Sequence, residues 1–97
     1  MSNPEMIRGI ERAVVLASYL YYDGPSDVES PWNDADFDAR VHFLAFWEKL
    51  RSPEFAARLK AAKIKLTERT SSLHGLVYTA EEKAAAIAWA KSGQHWP

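Results

Sequence analysis

Asp34, Asp36 and Asp38 come nearest to a chemical motif, because oxygen ligands at positions one, three and five open a calcium-binding loop. The pattern stops there. The glycine needed for the loop's sharp turn is Ala39, and the bidentate glutamate that closes it is Ala45. His42, His74 and His95 lack the i, i+4 spacing that sets two imidazoles on one metal. The chain has no cysteine, which removes disulfides, thiolate metal sites and a thiol nucleophile. No nucleophile and base stand in a recognisable signature, and no glycine-rich loop could cradle a phosphate. The sequence therefore predicts a protein that is not an enzyme, needs no cofactor and holds no metal.

Binding chemistry is better represented. Arg8, Arg12, Val15, Tyr19 and Tyr22 recur at i, i+4, i+7, i+11 and i+14, which sets them along one line of a helix. Arg and Tyr join large contact area to directional hydrogen bonds and are enriched where proteins meet. They also suit gripping a phosphate and stacking on a base. The line reads as a contact surface for another protein, a second copy, or an anionic small molecule such as a nucleotide. The plainer alternative is that a neighbouring helix covers it, with the arginine stems running along the edge toward water.

Charge is divided along the chain. Residues 1–48 carry three bases and nine acids, net −6, whereas residues 49–75 carry seven bases and two acids, net +5. The acidic set is Asp23, Asp27, Glu29, Asp34, Asp36 and Asp38; the basic set is Arg58, Lys60, Lys63, Lys65 and Arg69. Opposite charge on two parts of one small domain fits internal attraction, solubility or head-to-tail association. The basic set also offers a nucleic-acid reading, since a break at Ser52-Pro53 between two helices outlines a helix-turn-helix. The small-residue-then-glycine turn of that motif is missing, and a net charge of −1 gives no general attraction to a polyanion.

The elements that must position these residues are helical. Asn3 as cap, Pro4 at the first position and Gly24-Pro25 as stop predict a helix over 4–22. Its main apolar face reads as Met6, Ile10, Ala13, Val14, Ala17, Leu20 and Tyr21. Asn33 or Asp34 starts a second helix over about 34–51. That segment is apolar on two sides, with Phe37, Val41 and Leu44 on one and Phe43, Phe46, Trp47 and Leu50 on the other, so it reads as the central helix, with Trp47 as a core anchor. Ser52-Pro53-Glu54 starts a third helix, over about 53–70, whose seam is Phe55, Leu59, Ala62 and Leu66. Ile64 has no place in that seam. Thr79 to Glu82 is a capping box that opens a fourth helix, over 80–92, with Ala80, Ala84, Ile87 and Ala88 as its packing face.

Ninety-seven residues, 47% apolar and 26% charged, are ordinary values for one globular domain spanning 1–97. The run Ala13 to Leu20 reads as a core helix rather than a signal peptide, because Glu5 and Glu11 offset the arginines before it. No run reaches the roughly 20 apolar residues of a membrane span. The predicted fold is an all-α bundle of four helices packed around the second. The predicted function is a cytoplasmic, non-enzymatic protein-binding module of adaptor or inhibitor type, which acts by covering a surface and self-associates. A sensor or sequestering protein for an anionic small molecule is the first alternative, and nucleic-acid binding through the basic third helix the second.

Overall fold

The computed structural model describes residues 4–66 and 73–92. It is an all-α structure of helices α1 (Pro4–Tyr22), α2 (Asp34–Phe46), α3 (Pro53–Ala61) and α4 (Ala80–Ser92), with a 3-10 turn at Glu48–Leu50. No strand occurs among the described residues. None of their helices is long and apolar enough to cross a membrane. The cap expected at Asn3 lies outside the described residues.

The centre of the bundle is α1, which corrects the expectation that the second helix is central. Every residue from Ala13 to Leu20 is buried, and α1 packs against both α2 and α4. A helix buried around its circumference must lie among its neighbours. The cause is legible in composition: no charged side chain interrupts Ala13 to Leu20. Ile7 and Leu16 join this core, while Met6 and Tyr21, expected on the apolar face, are exposed. α1 stops where the Asp23 N–H bonds the Tyr19 carbonyl and Gly24 follows. A Cβ at Gly24 would lie 2.8 Å from Leu20 Cα, so only glycine fits this exit.

α2 begins as expected, with the Asn33 side chain accepting from the Asp36 N–H at 2.8 Å. It buries Phe37, Val41 and Leu44 against α1 and ends at Phe46, short of residue 51. The chain leaves the helix at Trp47 and passes through the 3-10 turn to Ser52. Trp32, in the loop before α2, is buried edge-on against Trp89 at 5.3 Å, with the Arg40 guanidinium over its ring at 4.6 Å.

α3 is shorter than the sequence suggests. Lys63 adopts a positive φ of 58°. The Ile64 N–H reaches back to the Leu59 carbonyl and the Lys63 N–H to the Lys60 carbonyl. This is a Schellman ending with lysine in the position that glycine usually fills. Ile64 follows as the apolar residue that packs back on the core, which is why it had no place in a continuous seam. Residues 67–70, the last part of the expected third helix, lie outside the described residues.

α4 opens on the capping box: the Thr79 hydroxyl accepts from the Glu82 N–H, and Glu82 accepts from the Thr79 N–H. Its core face is Ala86 and Trp89, with Ala85 and Ala90 partly buried, and Ala80, Ala84 and Ala88 are exposed. Alanine occurs on every side of this helix, so periodicity does not choose a face. Burial of the largest side chain, Trp89, does, and Ile87, expected on the packing face, is partly buried against the core.

Candidate binding surface

α2 has an outer face as well as an inner one. Ala35, Ala39, His42 and Phe46 follow at i, i+4, i+7 and i+11, and all four are exposed. At the C-terminal end this stripe broadens into an apolar ledge. Phe46 is 68% exposed, Leu50 42% and Trp47 40%. Trp47 meets Phe46 edge-on at 5.1 Å and Phe43 at 6.3 Å, so these rings form one cluster. The expectation that Trp47 anchors the core is therefore corrected. Its helix ends one residue before it, which carries the second apolar side of the segment away from the bundle.

Behind the ledge lies a groove of about 580 Å³, lined by the turn after α2 and by the far end of α3. Arg51, Lys60 and Lys65 supply positive charge, Glu48 the one acid, and Leu59, Ile64 and Leu66 an apolar wall. The Arg51 side chain is only 11% exposed. Its Nε and Nη1 are buried and have no hydrogen-bond partner. Its ion pair runs from Nη2 to Glu48 Oε1 at 3.5 Å, and the Glu48 side chain is 77% exposed.

The Arg–Tyr line of α1 proves to be divided by depth. Val15 and Tyr19 are 3% and 8% exposed and belong to the core, Tyr22 and Arg12 are half-buried, and Arg8 is exposed. The arginines thus sit at the margin of a covered face, as the plainer reading of the line has it. Arg8 and Arg12 share a small cavity of about 160 Å³ with Arg58, Glu11, Glu54, Ser52 and Glu82. Charge there is largely matched. Arg12 pairs with Glu81 at 2.6 Å, and Arg58 grips Glu82 with both Nη atoms while also donating to the Val77 carbonyl. Burial pushes the Glu82 carboxyl up, but the bonds from Arg58 and from Thr79 outweigh it and hold its pKa below the ordinary 4.5. Nearby, Tyr78 shares a 2.7 Å hydrogen bond with fully buried Ser18, and burial pushes its phenol above the ordinary 10.0.

The basic set is likewise split. Arg58 turns toward α4, Lys60 and Lys65 line the groove, Lys63 occupies the exposed turn after α3, and Arg69 lies outside the described residues. The acidic set stays on the surface at the opposite end of α2. Among the described residues Asp36 pairs with Arg40 at 3.8 Å, while Asp23, Asp27, Glu29, Asp34 and Asp38 form no ion pair. No group of three or more His, Asp or Glu able to hold a metal ion occurs among the described residues. The sequence reading missed Arg51 as a site residue. Its signal was position: it follows the helix end directly and precedes Ser52-Pro53, where a side chain is fixed by the next helix start. No family model, curated protein or solved structure matches the chain.

Proposed function

We propose that the chain is a small, non-enzymatic protein-binding module that works by pairing with a second copy of itself through the outer face of α2 and the ledge beside it. The observation that supports this reading is the joint exposure of Phe46, at the end of α2, and of Trp47 and Leu50 just after it, while Phe37, Val41 and Leu44 on the other side of α2 are buried. Large apolar clusters on a small monomer are costly to leave in water and commonly mark association sites.

A second copy is the occupant favoured by charge. Asp34 and Asp38 stand at one end of the α2 stripe without ion pairs, and Lys49 stands exposed at the other. Two such helices laid antiparallel across a two-fold axis bring acid to base at both ends. The same arrangement sets Phe46 of each copy over the small side chains Ala35 and Ala39 of the other. An interface made by helices of 13 residues is at the small end of the range, so affinity on the order of micromolar is expected. An adaptor or inhibitor would use the same ledge on a foreign protein. The lack of cysteine is compatible with a reducing compartment, and the cytoplasm is the proposed location.

The test is a charge exchange followed by sedimentation. Asp34→Lys and Lys49→Glu should each weaken association at least tenfold, and the double variant should recover it. A double variant no better than either single one would exclude the antiparallel arrangement. A wild type that stays at 11.0 kDa but binds a purified foreign protein through Phe46 would replace the second copy with that protein.

A further inference from the structure

We propose that the groove behind the ledge binds an organic anion, with a carboxylate or phosphate head beside Arg51, Lys60 and Lys65 and an apolar stem along Leu59, Ile64 and Leu66. This is a small-molecule site distinct from the pairing face of α2.

Charge balance is the first argument. The groove holds three cationic side chains against one acid. The small cavity between α1, α3 and α4 also contains three arginines, yet Glu11, Glu54 and Glu82 share it. An entering anion is redundant there and is compensating here.

Desolvation is the second. Arg51 is largely removed from water, two of its nitrogens have no acceptor, and its one carboxylate partner stands 3.5 Å away on an exposed side chain. A buried guanidinium normally has its donors satisfied, and leaving them unused is unfavourable. A mobile anion at the groove adds the missing countercharge and competes with Glu48 for Nη2.

Shape and rigidity are the third. A volume of about 580 Å³ falls within the range of small-ligand sites, and a wall of leucine and isoleucine accepts a stem rather than a bare ion. The lining is fixed from both ends. Arg51 precedes Ser52, whose N–H and hydroxyl are both held by Glu11, and Ile64 and Lys65 follow the closed ending of α3. Little ordering remains to oppose binding.

Isothermal titration with octanoate, octyl phosphate, inorganic phosphate and octanol tests this. Octanoate or octyl phosphate should bind saturably at one site, at least tenfold tighter than inorganic phosphate or octanol, and their ratio decides between a carboxylate and a phosphate head. Arg51→Met should lower that affinity at least tenfold, and Glu48→Gln should raise it severalfold. Lys65→Gln, at an exposed position, should lower it severalfold while leaving the melting temperature unchanged, so the site stays testable if Arg51→Met fails to fold. Octanol binding as well as octanoate, no saturable binding to the wild type, or wild-type affinity in Lys65→Gln and Arg51→Met would each overturn the proposal.

Discussion

Glu11, on α1 just before its buried run, accepts hydrogen bonds from both the N–H and the hydroxyl of Ser52, each at 2.8 Å. Glu11 as a whole is 5% exposed, and the same Ser52 oxygen accepts from the Phe55 N–H to cap α3. One side chain thus fixes where α3 begins relative to the central helix, and with it the direction of Arg51. Glu11→Ala is expected to lose about 2–4 kcal/mol of stability, because two hydrogen bonds vanish and half-buried Ser52 loses its acceptor. Ser52→Ala should lose about 1–3 kcal/mol, and the two effects should not add. Urea unfolding of both single variants and the double variant measures this; strict additivity would show that the contact carries no energy.

The ending of α3 stores a correctable strain. Lys63 holds a φ of 58° that glycine adopts without steric cost. Lys63→Gly should raise stability by about 0.5–1 kcal/mol, and Lys63→Val should lower it by at least that much. Thermal melts of the two variants should move in opposite directions. Equal losses in both would mean that the helix continues past Ala61.

These endings show what local sequence carries and what it does not. Asn33, Ser52-Pro53 and the Thr79–Glu82 box were legible because each start is decided within four residues. The stop at Lys63 was not, because lysine is a good helix former and the left-handed turn is stabilised by Ile64 packing on a distant core. The same limit hid the binding surface. Both apolar sides of 34–51 were visible, but only the end of α2 at Phe46 decides that Phe37, Val41 and Leu44 go inward and Phe46 and Trp47 outward. In α4, alanines on all sides left the choice of face to Trp89. The Arg8–Tyr22 line was correctly placed on one helix, yet its depth depends on α4, which local pattern cannot supply.

The Arg58–Glu82 pair gives the protein an acid-sensitive contact. Because the folded-state pKa of Glu82 is depressed, its contribution is fully present above the ordinary value of 4.5 and is lost as pH falls through the folded value. Stability should therefore decline below about pH 4.5 more gently in Glu82→Gln than in the wild type. Tyr78 gives the converse at the other limit: its raised pKa means a contribution present below pH 10.0 that fades above it. Denaturation midpoints across pH 3–6 and 9–11 for Glu82→Gln and Tyr78→Phe measure both slopes. Wild-type slopes in the two variants would remove these groups as their source.

Leu44 and Trp47 should respond oppositely to truncation. Leu44 is fully buried, so Leu44→Ala should cost about 2–5 kcal/mol. Trp47→Ala should stay within about 1 kcal/mol of the wild type, since the residue is 40% exposed and its ring meets exposed Phe46 and half-buried Phe43. Chemical denaturation of the pair measures the contrast, and a large loss in Trp47→Ala would place the ledge inside the core.

The exposed aromatics at the end of α2 are proposed to pair two copies of the chain. Sedimentation equilibrium on wild type and Phe46→Ser, from micromolar to hundreds of micromolar, tests it most directly. The expected result is a wild-type mass that rises with concentration from 11.0 kDa toward twice that value, and a Phe46→Ser variant that remains at 11.0 kDa with an unchanged melting temperature. A wild type that stays at 11.0 kDa throughout, or a Phe46→Ser variant that associates as well as the wild type, would contradict it.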